Sequence, residues 1–279
     1  MKFTPRLPGE NVNVSRTHPL AELAWMLGGL ALILSLFYLL IGLAVEIVAE
    51  RLPAGAERWL GRQALQNFAA AESPLLQNRL QALLASLPVD SPLRSHGEDF
   101  QARVVDTDEI NALALPGGCI VVFRGLLEAV ESENELDMVL AHELGHFAHH
   151  DQLKGLGRGL VATLLSMALF GSDSSATGLV ASLTLSFDAR YSQRQEAAAD
   201  AWGLDLLVAR YSHAGGAVDF FARMSRREDA PKIAYLRASH PHPADRIRNL
   251  EQHIAERNYR MLPVVPINGK SLFLSSPRS

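Results

Sequence analysis

His142-Glu143-Leu144-Gly145-His146 decides how this chain is read. Histidines four apart lie on one face of an α-helix, one turn from each other, so both imidazoles reach a single metal ion. Glu143 follows the first histidine and points near the open coordination position. There it takes a proton from a metal-bound water. The flanking residues read as helix. Ser132 and Glu135 spell an S-x-x-E capping box, and Leu136, Val139, Leu140 and Leu144 follow as an apolar stripe at helical spacing.

A catalytic zinc needs three protein ligands and one exchangeable water. The third ligand is expected from a helix after the motif, and Glu196 in Arg194-Gln195-Glu196-Ala197-Ala198-Ala199-Asp200 is the best candidate. The alanines permit close packing on the motif helix. Asp200 falls one turn beyond Glu196 and is placed to hold a ligand imidazole through its other nitrogen. Spacing alone favours a solvated helix carboxylate at Glu196. A structural zinc is disfavoured, because closed sites use four Cys or His ligands. Cys119 is the only cysteine, which excludes an intrachain disulfide and a cysteine-based zinc site. It reads as a small packing residue in a strand. The helix turns His149 away from the metal, and His213 and His242 read as surface residues.

The chain has 279 residues, a formal net charge of −4 and no long basic block, so nothing points to nucleic acid. Apolar residues are unevenly spread. Leu23 to Val45 carries no charge. As a helix it would be about 34 Å long, enough to cross a bilayer core of about 30 Å. Trp25 sits near one end, where an interfacial aromatic belongs. The run exceeds a signal-peptide core, and no small-x-small cleavage site directly follows it, so an uncleaved anchor through residues 23–46 is expected. Residues 1–22 read as a polar tail, 57–258 as the catalytic domain and 259–279 as a C-terminal tail.

Between anchor and motif, helices are expected over Glu57–Ala71 and Pro74–Leu87. Strands follow at Phe100–Asp106, Ile110–Leu115 and Cys119–Phe123, with Pro116-Gly117-Gly118 as a hairpin turn. After the motif, two uncharged stretches, Gly159–Ser172 and Ser174–Phe187, read as buried helices or as a membrane-touching hairpin. Further helices are expected from Asp188 to about Arg210, over Ala217–Arg227 and over Ala244–Arg257. The fold class is therefore α+β and mostly helical, with a small antiparallel sheet, preceded by one transmembrane helix.

Four ordered stretches resemble the HtpX-type zinc metallopeptidases, the family that also holds the CaaX prenyl protease. They are Asn111–Gly118, the motif helix, Glu196-Ala197-Ala198-Ala199-Asp200, and Ser239-His240-Pro241 followed by Asp245-Arg246-Ile247. The similarity covers about Leu60 to Arg257. It implies a zincin-like (gluzincin) fold with one Zn2+ per subunit held by His142, His146 and Glu196. It implies that Cys119–Phe123 is an edge strand, with Cys119, Ile120, Val121 and Val122 pairing with an extended substrate. It also places His240 near the metal and Arg246 one turn into the next helix, both as catalytic candidates beside Glu143. The expected protein is a membrane-anchored zinc endopeptidase acting on polypeptides in membrane or envelope quality control. The expected location is the bacterial inner membrane, single-pass, with the catalytic domain periplasmic. A membrane-tethered chaperone or adaptor with a latent metal site is the alternative.

Overall fold

The computed structural model describes residues 18–95, 100–171, 175, 191–226, 236, 239–240 and 243–267. Chain contacts divide it into two units, Met1–Ala44 and Val45–Ser279. Helix α1 (Pro19–Ala49) contains the uncharged run and is longer than expected at both ends. Among the described residues it alone is long and apolar enough to cross a membrane, and none of its most apolar window is buried.

The second unit begins with α2 (Ala54–Leu65), a short β1 (Ala70–Glu72) and α3 (Pro74–Ala85). The helix expected over Glu57–Ala71 thus stops early, and its last residues join the sheet. Helix α3 starts as its sequence dictates. Ser73 accepts the Leu76 N–H, and Pro74 occupies the first turn, where no backbone donor is needed. A single turn, α4 (Pro92–Ser95), precedes β2 (Gln101–Val105), β3 (Ala112–Leu115) and β4 (Cys119–Phe123). Then come α5 (Arg124–Ala129), the motif helix α6 (Glu133–Ala148), α7 (Asp151–Phe170), α8 (Gln193–Tyr211), α9 (Asp219–Arg226) and α10 (Pro243–Glu256).

The sheet corrects two expectations. Its order is β1-β2-β4-β3, and β2 pairs with β4 in parallel, so the sheet is mixed and not antiparallel. Cys119–Phe123 is an interior strand, with all five residues buried, and Cys119, Ile120, Val121 and Val122 have β2 on one side and β3 on the other. The edge strands are β1 and β3. The physical reason is the hairpin itself. Its second strand, Cys-Ile-Val-Val-Phe, pairs in parallel with β2 from Gln101↔Cys119 to Val105↔Phe123. That strand enters beside β2, and the turn at Gly117 and Gly118, both at positive φ, throws β3 to the outside.

Behind the sheet, Leu76, Leu80 and Leu83 of α3, Leu136, Leu140 and Leu144 of α6, and Leu204 and Leu207 of α8 share one core with Ile120 and Val122. Asp137 is fully buried within it. Its carboxylate accepts from Arg79 Nε at 2.8 Å, Arg210 Nε at 2.7 Å and Tyr211 OH at 2.7 Å, which ties α3, α6 and α8 together. Residues after 258 are not a loose tail where they are described. Val265 accepts from Glu133 N at 2.8 Å and donates to Asn134 Oδ1 at 2.9 Å, strapping the segment to the start of α6.

Helices α6 and α8 meet backbone to backbone. A Cβ on Gly145 would lie 2.8 Å from Ala199 O, and one on Gly203 would lie 2.9 Å from His142 N. In an open helix Gly203→Ala would stabilise by about 1 kcal/mol. Here overpacking should cost about 1–3 kcal/mol. The urea midpoint of Gly203→Ala should therefore fall, and a raised midpoint would show that the two helices have room to separate.

Candidate metal centre

Helix α6 starts where expected, though the box is only half formed. Ser132 Oγ accepts from Glu135 N at 3.2 Å, but the Glu135 carboxylate reaches Glu131 N at 2.8 Å and is gripped by both Arg223 terminal nitrogens. From that start, His142 and His146 fall on the face toward α8. Both are buried, and their Nε2 atoms stand 3.2 Å apart. Two nitrogens bound to one tetrahedral ion would be about 3.3 Å apart, from metal–nitrogen distances of about 2.0–2.1 Å. Glu196 enters from the first turn of α8, which begins after Ser192, where Ser192 and Gln195 make a complete capping box. Asp188, expected to begin this helix, lies outside the described residues. The Glu196 oxygens lie 3.5 Å from His146 Nε2 and 3.7 Å from His142 Nε2.

Each histidine is held from behind. Asp200 Oδ1 lies 2.9 Å from His142 Nδ1, and Asp151 Oδ2 lies 2.9 Å from His146 Nδ1. A carboxylate on Nδ1 fixes the ring and leaves Nε2 as the donor to a metal. Asp151 also accepts from Gln195 Nε2 at 2.7 Å, which couples the end of the motif helix to the cap of α8. Arg246 from α10 binds Asp200 through Nε at 2.9 Å and Nη2 at 2.7 Å, reaches Glu196 Oε2 with Nη1 at 3.1 Å, and lies over the Phe221 ring. His240 is buried between them, with Nδ1 3.0 Å from Glu196 Oε1 and 3.3 Å from His142 Nε2. Glu143 is 1% exposed, and its Oε2 has no hydrogen-bond partner among the described residues.

The electrostatics suit a cation. Burial alone would push His146 down, but the Asp151 and Glu196 carboxylates outweigh it and raise the pKa to about 9. His142 moves down, through burial and the nearby Arg246 charge. Burial would raise Asp200 and Glu196. The Arg246 charge brings Asp200 to about 2, and His240 with Arg246 holds Glu196 well below the usual carboxylate range. A buried carboxylate that stays ionised beside two imidazole nitrogens at ligand spacing fits a metal ion. Among the described residues, the atoms of His142, His146, Glu196 and His240 that could bind one all lie within 4.8 Å of one another.

Two contributors escaped sequence reasoning. Asp151 lies just past the helix, after His150 turns the chain with φ 54°, so no helical spacing relates it to His146. Tyr191 stacks on the His146 ring at 3.8 Å between centroids, and it lies in a stretch without periodic pattern. His149 does not join the donor cluster. Cys119 is buried in the sheet, and burial pushes its thiol up to about 11, which agrees with a packing role.

A helix bearing two histidine donors with a glutamate between them, closed by a glutamate from a second helix, defines a metallopeptidase of the H-E-x-x-H class. The chain belongs to peptidase family M48, whose model matches residues 74–254. It is similar to metalloprotease LoiP of Escherichia coli, 31% identical over 171 residues, covering 58% of this chain and 64% of that one. Metalloprotease YcaL of Escherichia coli is 29% identical over 172 residues, covering 57% and 64%. The mitochondrial metalloendopeptidase OMA1 of Schizosaccharomyces pombe is 30% identical over 161 residues, covering 56% and 47%. The chain thus spans 64% of the length of the two Escherichia coli relatives and 47% of that of the third.

Loss of an outer carboxylate on a ligand imidazole costs about 10–100-fold in metal affinity. Asp151→Ala should weaken metal binding by about that factor, read with added zinc as the probe in competition with a chromophoric chelator, with the circular dichroism spectrum unchanged. Unaltered affinity would mean that His146 is oriented without it.

Proposed function

We propose that this protein is a membrane-anchored zinc endopeptidase. The reading is carried by Glu143, a buried carboxylate whose Oε2 has no partner among the described residues, beside a histidine–histidine–glutamate donor set. His142, His146 and Glu196 would hold the zinc, which would supply Lewis acidity toward a water and the scissile carbonyl when bound. Glu143 takes the proton of the attacking water and passes it to the leaving amine. Asp200 and Asp151 hold the ligand rings in the tautomer that leaves Nε2 available. Arg246 contacts Asp200, Glu196 and His142, so it acts as a positioning residue through them. The substrate backbone adds to the free edge of β3, Ala112–Leu115, which lies against α6.

His240 is proposed to donate to the carbonyl oxygen as charge develops there, with its Nε2 3.7 Å from Glu143 Oε1. A second reading comes from the same residue. Its Nδ1 lies within the donor cluster, so it also suits a latent site held shut by a fourth ligand, as a tethered chaperone would have. We place the protein in envelope quality control at the bacterial inner membrane, with the catalytic unit on the periplasmic side. A cytoplasm-only reporter that is active when fused after Arg257 would refute that orientation.

Glu143→Gln should keep zinc and lose cleavage of an unfolded protein, because it removes a base and not a ligand. Glu196→Ala should lose zinc, and full occupancy in that variant would place the third ligand elsewhere. His240→Ala should lower turnover by about a hundredfold at unchanged zinc content, the usual cost of losing one such donor. A rise in turnover would establish the shut site instead.

A further inference from the structure

His146 enters the donor cluster from α6, and two contacts restrain its ring in different ways. Asp151 Oδ2 meets Nδ1 at 2.9 Å. A contact of that kind fixes a point and leaves the ring free to swing about the line joining the two atoms. The Nε2 lone pair lies in the ring plane, so such a swing takes it off any ion placed between the donors. The face of the ring needs a restraint of its own, and Tyr191 supplies it. The two rings lie at 17° with centroids 3.8 Å apart, a face-to-face stack. The ring pairs that His142 makes, with His146 at 4.7 Å and with His240 at 5.0 Å, meet edge to face and hold neither plane in this way. Tyr191 is buried, so its ring is itself packed in.

The start of α8 explains why the phenol ring is there. Ser192 is the cap. Its N–H donates to Gln195 Oε1 at 3.0 Å, and the Gln195 N–H donates to Ser192 Oγ at 3.3 Å. That box fixes the direction in which the chain enters the helix. The residue before a cap and the fourth residue of the helix lie on the same side of such an entry. Those positions here are Tyr191 and Glu196, and both converge on one imidazole of another helix. Tyr191 covers the His146 face, and Glu196 Oε1 stands 3.5 Å from His146 Nε2. Gln195, just before Glu196, reaches Asp151 with its Nε2 at 2.7 Å. The Tyr191 N–H donates to the Ser239 carbonyl at 3.3 Å, so the backbone under the ring is tied as well. The stack, the grip on Asp151 and the Glu196 carboxylate all issue from one capped helix start.

We infer that Tyr191 is a positioning residue for metal binding, whose ring clamps the face of His146 and holds the Nε2 lone pair on the donor cluster. The clamp rests on the reading of His146 as a metal ligand. A ring already held in place loses less freedom when the ion arrives. Partners that orient a ligand imidazole are worth about 10–100-fold in metal affinity. Stacking draws on the aromatic face alone, which makes the phenol hydroxyl dispensable to it.

The full chain is tested with zinc as the probe, in competition with a chromophoric chelator. Tyr191→Leu should bind zinc about tenfold more weakly, the lower end of that range. Tyr191→Phe keeps the ring and should match the wild type. Cobalt-loaded protein gives a second readout, because its visible absorption follows ligand geometry. The band should shift in Tyr191→Leu and stay in place in Tyr191→Phe. Asp151→Ala and Tyr191→Leu loosen the same ring, so the double variant should lose less affinity than the product of the two single losses. Losses that simply multiply would overturn the clamp. So would a tenfold loss in Tyr191→Phe, and that arm decides even where Tyr191→Leu fails to fold. Wild-type affinity and spectrum in Tyr191→Leu, with zinc lost in His146→Ala, would overturn the clamp and leave the ligand standing. A His146→Ala protein that binds zinc as tightly as the wild type would remove the ligand itself, and the clamp with it.

Discussion

The structure depends on the near-contact of the α6 and α8 backbones. Gly145 faces Ala199 and Gly203 faces His142 so closely that neither glycine position has space for a Cβ. This proximity lets a carboxylate as short as Glu196 reach two imidazoles that project from another helix. It also puts Asp200 on the outer nitrogen of His142 from the same helix, one turn later. A pair of helices at the usual separation of about 8–10 Å would leave these groups in separate places. The small residues are therefore part of the metal centre although none of them touches it.

The second constraint is charge. This domain buries many carboxylates, and a buried ion is tolerated only when it is paired and hydrogen-bonded. Asp137 has Arg79, Arg210 and Tyr211, and Glu135 has Arg223. Asp200 has Arg246, and Asp151 has His146 with Gln195. Glu143 departs from the pattern, with one oxygen unpartnered among the described residues. A site that satisfies its structural carboxylates and leaves one at the donor cluster unsatisfied has reserved that oxygen for a group that arrives later. Arg246 serves both sides of this arrangement. It neutralises Asp200 and Glu196 while its stacking on Phe221 fixes it to the preceding helix, α9.

Much of the centre was legible in the chain, because helical spacing is a local property. His142, His146 and Glu143 follow from a period of 3.6 residues, and Asp200 follows from Glu196 by the same rule. The anchor was legible because a bilayer demands length and lack of charge, both of which are written in consecutive residues. Glu196 was a candidate third ligand from its own stretch, but only the resemblance set it above a solvated carboxylate, and His240 and Arg246 came through resemblance alone, since no spacing within the chain links separate helices.

What only the tertiary structure decided are the relations between distant segments. Which strand of the hairpin lies outside depends on how β4 slots beside β2, and the apolar runs of β3 and β4, unbroken in both, carry no instruction on that point. Asp151 and Tyr191 reach His146 from beyond the helix end, one after a left-handed turn at His150 and one from across the fold, where periodicity has no meaning. The arginine that each buried carboxylate takes as partner is fixed by packing as well. A sequence by itself determines the face a residue occupies on its own element, because backbone geometry repeats. It leaves open what that face meets, because contact is set by the summed packing of all the elements at once.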